Sequence, residues 1–533
     1  MDVLLCFDIG LRNLYQYIRG GLLYHHLRFR FFRSPQHSWG LKLELSSHRR
    51  KLYGISSEKS EYDGKFVQTG LLLGDHTVMI EHSAPAETNT PPRERPRKKG
   101  ELSTRLPASL PVETVECVLP DDEQTCGVCG EPLHEIGKEV VRKELKILPA
   151  KATVVEYVRH AYSCRNCEQE AENVPVVKAP LPPQVIKGSI CAPETVAHIA
   201  VQKCVMGSPL YRQEQEWRRD GLPIARQTMA NWMIRCSENY LEPVYDELHR
   251  RLLLHSFLHS DDTVFQVLRE PGKPPQSDSR MWIYRTSGGA KHPIVLYDYQ
   301  PDRKQERPRD FLKGFSGYLM TDAYAAYHNL PSEIIVVGCF AHVRSRFTDA
   351  LKCLKENERL DSLALVGKKF CDDLFALERE LMDKSFDERF DIRNRKALPI
   401  LDSFHAWLLS VEPHVSSKSK LGSAVGYALK QWNYLKSYLL DGRIEISNNR
   451  AERSVKPFVI NRKNFLFSTS VPGAKATAIF HSITETAKES GLNPFRYITH
   501  VLQSAAAGDI RHDADLLSQL LPENAPDFCR AAL

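Results

Sequence analysis

The sequence lacks an apolar run of the length that a membrane-spanning helix requires. Its opening residues, MDVLLCFDIG, lack the basic region of a signal peptide and carry the acidic residues Asp2 and Asp8. Residues 1–46 also lack the leucine heptads of a coiled coil, and their basic and aromatic residues follow no clear period. From these absences we expect a cytoplasmic protein without membrane contact.

A strong charge imbalance is also missing. The chain has 72 Lys and Arg residues against 66 Asp and Glu residues, so its formal charge of +6 matters only where cationic residues cluster. With 533 residues the chain is too long for one compact core, and several domains are expected. Four of the 13 cysteines form two CxxC pairs and the others are scattered, which favours one metal site in a reducing compartment over disulfides.

The two CxxC pairs are Cys126 with Cys129, and Cys164 with Cys167. Two thiolates separated by two residues fit one side of a tetrahedral zinc ion. The spacer contains two strand-like runs, 140–148 and 152–163, joined at Pro149-Ala150, and a hairpin of these runs would bring the pairs together. We expect one structural Zn²⁺, because four protein thiolates leave no coordination position open.

The stretch FLHSDDTVFQVL, residues 257–268, alternates apolar and polar residues as a strand entering a core does. Asp261 and Asp262 lie in its middle, and a charge inside a sheet is unfavourable unless it is paired or binds a metal ion. A turn between two short strands, with both carboxylates in water, is the alternative that this stretch alone leaves open.

Asp322 and Glu452 occupy comparable positions later in the chain. Asp322 follows a short apolar strand predicted at 317–321, and a helical pattern continues over 323–330. Glu452 lies in a helix predicted within 445–467. The three acids therefore fall at two strands and one helix.

The helix that carries Glu452 has Ser447 or Asn448 as its predicted N-cap. Asn449 and Lys456 share a helical face with Glu452, and Pro457 is expected to disturb the helix soon afterwards. Three acids in such settings suit metal-assisted phosphoryl transfer. Mg²⁺ prefers hard oxygen ligands, and two such ions activate the attacking oxygen and stabilise the leaving one.

Residues 185–255 have a helical pattern after a Pro-rich hinge, with breaks at Gly207-Ser208-Pro209 and Gly221 that divide it into three helices. This pattern is compatible with a helix-turn-helix in which Arg226, Gln227 and Thr228 face DNA, and ordinary helical packing is the open alternative. Further upstream, the Pro-rich linker contains RERPRKK (93–99), either a solubilising tether or a segment that contacts phosphates.

Cationic residues gather around the acids in the sequence: Arg344, Arg346, Arg450, Arg453, Lys456, Arg462 and Lys463. They form either an exposed cationic face or neighbours for DNA phosphates. Cys339 and His342 have the spacing of half a zinc site, but no second ligand pair has suitable spacing, so we expect none there. His342 is expected near the acids, where it orients a phosphate or carboxylate; a core histidine with satisfied hydrogen bonds is the alternative.

From about residue 47 to 510 the chain resembles the insertion-sequence-66 family of bacterial DDE transposases. The matching stretches are RRKLYGISSEK (49–59), CGVCG (126–130), PLYRQEQEWRRDGLPIARQTMANW (209–232), HSDDT (259–263), FLKGFSGYLMTDAYAAY (311–327), GCFAHVRSRF (338–347) and NNRAERSVKPFVINRKNFLF (448–467). Ordered matches over most of a chain are far more specific than one short motif.

The resemblance implies that Asp261, Asp322 and Glu452 form the catalytic triad and bind two Mg²⁺ (or Mn²⁺) ions. Asp262 stands where the family commonly has a second acid and is kept as a less favoured ligand, with His342 and Asn449 as possible active-site support. The implied partners are double-stranded DNA at element ends and target, a second copy of the chain as a homo-oligomer on DNA, and helper proteins from the same element. The implied location is the bacterial nucleoid.

The expected fold is a multidomain α/β protein, in which a four-cysteine zinc-binding module and a helical DNA-binding region precede a ribonuclease-H-like catalytic core with a helical insertion. Its expected segments are 1–48 (atypical N-terminus), 49–82 (helical remnant), 83–115 (basic linker), 116–172 (zinc module), 185–255 (helical region), 256–345 (core, first part), 346–440 (insertion), 441–470 (final acidic helix) and 471–533 (C-terminal helices). A shifted reading frame or misassigned start is our hypothesis for the atypical N-terminus.

Within the insertion, Phe370, Leu374, Leu377 and Leu381 share one helical face and are predicted core residues. The leading functional hypothesis is a transposase that cuts element ends and joins them to target DNA. The alternatives are a catalytically decayed zinc-containing protein that only binds element ends and, third, a structure-specific nuclease on the same core.

Overall fold

The structure is a computed structural model, and it describes residues 152–163, 176–178, 180–322 and 324–531. The predicted N-terminal segments, the basic linker and the four zinc-binding cysteines lie outside these residues. Within them the chain is a mixed α/β protein. None of the described helices combines the length and apolar character needed to cross a membrane.

The described strands are β1 (Ala161–Ser163), β2 (Val176–Lys178), β3 (Phe257–Arg269), β4 (Asp278–Thr286), β5 (Val295–Gln300), β6 (Gly317–Thr321), β7 (Ile334–Gly338) and β8 (Ser468–Ser470). The described helices that precede the insertion are α1 (Pro193–Cys204), α2 (Leu210–Arg219), α3 (Arg226–Cys236), α4 (Glu242–Leu252) and α5 (Glu306–Phe311). Those from residue 340 to 436 are α6 (Phe340–Lys352), α7 (Glu356–Arg359), α8 (Leu363–Glu380), α9 (Phe386–Ile392), α10 (Leu398–Val411), α11 (Lys420–Lys430) and α12 (Trp432–Lys436). The C-terminal ones are α13 (Asn449–Phe465), α14 (Val471–Glu489), α15 (Pro494–Ala507) and α16 (Ala514–Gln519).

The long strand β3 is the centre of a mixed sheet with the order β5-β4-β3-β6-β7. β4 pairs antiparallel with both of its neighbours, β3 and β5, whereas β6 and β7 run parallel to β3. The short strand β8 adds parallel pairing near the end of β3. Because side chains alternate along a strand, successive residues of β3 face two different layers of the fold.

One face of β3 packs on α13. Phe265 and Val267 lie in a cluster with Val455 and Phe458, and the rings of Phe265 and Phe458 meet edge to face at 5.1 Å. The other face, represented by Leu258, belongs to the core that contains α1, α3 and α4. The alternation predicted for this stretch therefore reflects burial of both faces of the strand. The alternative of a turn between two short strands does not hold, because β3 is one continuous strand.

The edge of the sheet at β5 is covered by α14. The Val295 amide donates to Thr486 Oγ1 at 3.0 Å and the Tyr297 amide donates to Ser482 Oγ at 2.8 Å. These side-chain acceptors satisfy edge amides that would otherwise be open to pairing with another chain. The first helix of the C-terminal segment expected at 471–533 thus packs against the sheet.

Three local predictions need correction. The helix predicted over 323–330 is a single 3-10 turn at Ala325–Tyr327. Pro457 does not end α13, which continues to Phe465 on the strength of its packing against β3. The run 152–163 is a strand only over its last three residues; these pair with β2, while the partner run 140–148 lies outside the described residues.

The insertion has a hydrophobic core of its own. Leu374, Leu377 and Leu381 are buried in it and Phe370 packs at its edge, stacked on Phe404 at a ring distance of 5.0 Å. The predicted core face of this helix is confirmed. The same core includes Met320 and Val337 of the sheet, so the insertion packs against the end of β6 and β7.

Replacing Arg393 by alanine is expected to destabilise this insertion by about 3–5 kcal/mol, because it leaves a buried carboxylate without its partner. Arg393 is fully buried, its Nε and Nη2 donate to the Glu378 carboxylate at 2.8 and 2.7 Å, and its Nη1 donates to the Asp441 carbonyl at 2.9 Å. Thermal unfolding followed by circular dichroism measures the effect. Arg395→Ala, at an exposed position two residues away, is the control and should change stability little.

Candidate active site

Asp261 and Asp322 are brought side by side by the parallel pairing of β3 and β6. His259 lies opposite Met320 in this ladder. Two residues further along both strands, the same register places Asp261 opposite Asp322, which directly follows β6. Asp261 shares a face of β3 with Phe265, the face that α13 covers, and the Asp322 carboxylate lies near enough to raise the pKa of Asp261.

Glu452 approaches these two acids from the first turn of α13. Burial raises the pKa of Asp261 well above its usual value, and the negative charges of Asp322, Asp262 and Glu452 raise it further. The Asp262 amide, which donates to Asp261 Oδ1 at 2.8 Å, acts in the opposite direction. The three predicted catalytic acids thus lie within electrostatic reach of one another, as a nearly buried group with an excess of negative charge.

Asp262 projects to the opposite face of β3 and is held by two arginines. Arg303 donates from Nε and Nη2 to Asp262 Oδ1 at 3.0 and 2.7 Å, and Arg280 Nη1 donates to Oδ2 at 3.3 Å. Burial raises the pKa of Asp262, while the two guanidinium groups oppose that shift. Its oxygens are therefore already engaged, which separates its role from that of Asp261.

Arg303 also reaches Asp322, whose Oδ2 lies 3.8 Å from Arg303 Nη2. The guanidinium lies over the Tyr324 ring at 3.6 Å, and the Tyr324 amide donates to Asp322 Oδ1 at 3.0 Å. The Arg303 guanidinium and the Tyr324 amide thus both contact the Asp322 carboxylate. Arg303 is a functional candidate that the sequence analysis missed.

Asn448, at the start of α13, connects this helix to β3 and to the start of α6. Its Nδ2 donates to the Ser260 carbonyl at 2.9 Å, its Oδ1 accepts from His259 Nδ1 at 3.1 Å, and its backbone N–H donates to Cys339 Sγ at 3.1 Å. The side chain is fully buried and makes no capping hydrogen bond to α13, although Asn448 is the N-cap residue as predicted. It holds the start of α13 against β3 beside Asp261.

The buried His259 links Asn448 to Glu445. Its Nε2 lies 3.7 Å from Glu445 Oε1, which also accepts from the Gly288 amide at 2.8 Å and from Arg450 Nε at 3.1 Å. Burial alone would raise the pKa of Glu445, but His259 and Arg450 outweigh it and the pKa is lowered. One sequence signal was available for His259: it precedes Asp261 by two residues, so strand alternation puts both on one face.

His342 lies next to Glu452, as predicted. It is in the first turn of α6, whose N-cap is Cys339, and its Nδ1 lies 3.7 Å from Glu452 Oε1. Burial lowers the pKa of His342, but its interactions with Cys339, Glu452 and Asp322 outweigh burial and raise the pKa to about 10. The alternative of a core histidine with satisfied hydrogen bonds does not fit, because Nδ1 is buried and none of the described residues forms a hydrogen bond with it.

The cationic residues of α13 divide into exposed and engaged ones. Arg453 and Lys463 are exposed, and Lys456 is half-buried with a pKa that burial lowers and Glu452 raises. Arg450 pairs with Glu445, and Arg462 Nη1 donates to Thr263 Oγ1 at 3.2 Å and to the Val264 carbonyl. Arg462 therefore serves to fasten α13 onto β3.

Two further cationic residues of the predicted cluster lie on α6. Arg344 forms an ion pair with Asp372, and the Arg346 guanidinium lies 4.0 Å from the Tyr427 ring centre. The Tyr427 hydroxyl donates to the Asp322 carbonyl at 3.3 Å. The insertion thus touches the candidate site through Tyr427.

Arg226, Gln227 and Thr228 lie at the start of α3, as predicted. The first two side chains are exposed, and the Arg226 guanidinium lies 5.4 Å from the Tyr211 ring on α2. The three residues have no contact with the acids among the described interactions. Asn449, predicted as support, is half-buried beside the fully buried Asn448.

Proteins similar to this chain occur in Sinorhizobium fredii (strain NBRC 101917 / NGR234). The uncharacterized protein y4jD is 30% identical over 502 residues, which cover 91% of this chain and 94% of that protein. The uncharacterized protein y4hP is 28% identical over 504 residues, which cover 90% of this chain and 88% of that protein. These similarities extend over nearly the whole chain.

Three family models match consecutive parts of the chain. The zinc-finger binding domain of transposase IS66 matches residues 123–168, and the IS66 C-terminal element matches residues 482–522. The first of these matches contains both CxxC pairs and indicates a zinc site and DNA binding. The model of the IS66 transposase family matches residues 188–476, more than half of the chain and all three acids. The chain therefore belongs to the transposase IS66 family.

Proposed function

We propose that this protein is a DDE transposase, in which Asp261, Asp322 and Glu452 bind two Mg²⁺ (or Mn²⁺) ions and cut and join DNA at the ends of its mobile element. The observation that carries the proposal is the position of the acids. Asp261 lies on β3, Asp322 directly follows the adjacent parallel strand β6, and Glu452 lies in the first turn of α13. The negative charges of Asp322 and Glu452 both raise the pKa of Asp261, which supports their convergence.

We further propose that the sheet is a ribonuclease-H-like core. In support, three antiparallel strands are followed by two strands parallel to the first, in the order β5-β4-β3-β6-β7. The first acid lies on the central strand, the second at the end of the fourth strand, and the third on a helix after an insertion. For the rest of the chain, we propose the segment boundaries that the sequence led us to expect.

The carboxylates fit divalent magnesium by their chemistry. All three donors are hard oxygens, and the buried Asp261 carboxyl has a single described hydrogen bond, from the neighbouring amide. Bound Mg²⁺ ions would activate the attacking oxygen and stabilise the leaving oxygen. Asp261 is held on the central strand β3 and Asp322 directly follows β6. Asn448 fixes the helix start that presents Glu452, and Arg303 supplies a positive charge beside Asp322.

The proposed DNA surface combines several parts of the chain. Arg453 and Lys463, exposed on α13, and Lys456 are placed to contact phosphates near the acids. Arg226, Gln227 and Thr228 would contact DNA from the helical region, and Cys126, Cys129, Cys164 and Cys167 would hold one structural Zn²⁺. We also propose a homo-oligomer on DNA and helper proteins from the same element, acting in the bacterial cytoplasm at the nucleoid.

An in vitro cleavage and strand-transfer assay tests the triad, with the DNA that flanks this gene, including any inverted repeats in it, as substrate. Asp322→Ala and Glu452→Ala should each lower the Mg²⁺-dependent rate by about 10²–10³-fold or more, because each removes a group that holds charge in the transition state. Asp361→Ala and Glu356→Ala, exposed acids of the insertion, are the matched controls.

The possible outcomes separate the functions. Wild-type rates in Asp322→Ala or Glu452→Ala would rule out the assigned triad. Binding of the repeats by the wild-type chain without any Mg²⁺-dependent cleavage would instead identify a decayed protein that only binds element ends. Cleavage of branched DNA without joining would identify a structure-specific nuclease.

A further inference from the structure

Cys339, His342 and Glu452 form a second cluster of metal-ligating side chains beside the three acids. One ligand atom from each lies within 4.8 Å of the other two. Cys339 and His342 are three residues apart at the start of α6, and Glu452 comes from the first turn of α13. The sequence offered only the Cys339–His342 pair, because its third member is more than a hundred positions away and is a carboxylate.

The donor set of this cluster differs in kind from that of the three acids. It offers a sulfur, an imidazole nitrogen and a carboxylate oxygen, a combination that suits Zn²⁺ and not Mg²⁺. Three protein ligands leave a fourth tetrahedral position open, in contrast to a closed structural site. A thiolate, a carboxylate and a neutral imidazole would together balance the charge of one divalent cation.

Two features of the atoms in the cluster favour a bound cation. Within the described part of the chain, His342 Nδ1 is buried and has no hydrogen-bond partner, which is unfavourable for a polar atom unless a further group occupies its direction. The Asn448 N–H donates to Cys339 Sγ at 3.1 Å, the kind of outer contact that orients a thiolate ligand.

We propose that Cys339, His342 and Glu452 bind Zn²⁺, and that this zinc withdraws Glu452 from the magnesium-binding triad. Zinc would then inhibit DNA cleavage by occupying a site next to the reaction centre. The second half of this inference rests on the proposed function, because it assigns Glu452 to the triad. The first half, zinc binding, stands independently of any activity.

Zinc stoichiometry tests the binding directly. The full-length protein and its variants are dialysed against micromolar ZnCl₂ and analysed by inductively coupled plasma mass spectrometry. Cys339→Ala and His342→Ala should each retain one zinc per chain fewer than the wild-type protein, since loss of one of three ligands weakens affinity by at least the roughly 10–100-fold typical of an outer contact. Cys339→Ser, which keeps a hydrogen-bond acceptor for Asn448, should lose the same zinc.

The matched controls are Cys353→Ala, an exposed cysteine just after the end of α6, and His414→Ala, an exposed histidine. Both should keep the wild-type zinc content, and circular dichroism verifies that every variant is folded. Equal zinc content in the wild-type protein and in folded Cys339→Ala, Cys339→Ser and His342→Ala would overturn the inference.

A second measurement compares Mg²⁺-dependent cleavage with and without added ZnCl₂ within each protein. Zinc should lower the cleavage rate of the wild-type protein and of Cys353→Ala. In Cys339→Ala, the ratio of the rate with zinc to the rate without zinc should return toward one. A zinc-dependent loss of the same size in all three would refute inhibition through this site. If the wild-type protein shows no cleavage but still holds the additional zinc, the proposed function fails while the zinc site stands.

Discussion

Asp261→Asn is expected to abolish Mg²⁺-dependent cleavage and to raise the stability of the protein when no Mg²⁺ is present. The loss of activity follows from removing one of the proposed metal ligands, at a cost of about 10²–10³-fold or more in rate. The gain in stability follows because asparagine removes a buried negative charge that faces the charges of Asp322, Asp262 and Glu452.

The pH dependence of stability should change in the same variant. The pKa of Asp261 in the folded protein lies well above its usual value, so the folded state holds this proton more tightly than the unfolded state does. The free energy of unfolding therefore falls as pH rises from the unfolded pKa, near 4, through the folded pKa. Asp261→Asn should remove this contribution and flatten the stability profile over that window.

Asp262→Asn is the matched comparison, and its effect on stability should have the opposite sign. It leaves the partly exposed guanidinium groups of Arg280 and Arg303 without their shared buried carboxylate, and the loss of hydrogen bonds to a charged group costs about 1.5–3 kcal/mol. Thermal unfolding of both variants, with and without Mg²⁺, measures the difference. Added Mg²⁺ should stabilise the wild-type protein and leave Asp261→Asn unchanged. Destabilisation of both variants by equal amounts would contradict the assignment of the two aspartates to opposite faces.

The difference between these adjacent aspartates shows where sequence reasoning ends. The alternation of residues 257–268 predicts a strand, and the structure has one; alternation also requires that Asp261 and Asp262 face different layers. It does not determine which layer contains the metal ligands. That depends on where α13 and Arg303 pack, and these contacts join residues far apart in the chain.

The same limit applies to α13. Local chemistry predicts that Ser447 or Asn448 begins the helix and that Pro457 disturbs it. Asn448 is the N-cap, and the helix continues beyond the proline to Phe465, with Phe458 packed on Phe265. A single helical turn at Ala325–Tyr327 replaces the helix expected there, since Asp322, Tyr324 and Arg303 hold this segment by side-chain contacts. Periodicity detects regular elements, whereas the connections of the site depend on contacts between them.

Asn448→Ala is expected to lower the cleavage rate by about 10²-fold, because it releases the helix start that presents Glu452 and a misplacement of about 1 Å in a catalytic group has that cost. It should also destabilise the fold by about 1–3 kcal/mol for each buried group left unpaired, the Ser260 carbonyl and His259 Nδ1. Single-turnover cleavage rates over a range of Mg²⁺ concentrations measure the first effect, and thermal unfolding measures the second.

A positioning role and a merely structural one differ in the metal dependence of the reaction. If Asn448 sets the distance between Glu452 and Asp261, the Mg²⁺ concentration for half-maximal rate should rise in Asn448→Ala. In Asn448→Asp this concentration should lie between those of the wild-type protein and Asn448→Ala, because aspartate keeps the acceptor for His259 but loses the donor to the Ser260 carbonyl. Asn357→Ala, at an exposed position of the insertion, is the control and should leave both the rate and the Mg²⁺ requirement near wild type. An unchanged Mg²⁺ requirement in folded Asn448→Ala would show that Asn448 supports the fold without placing Glu452, because only displacement of a metal ligand alters the affinity for the ions.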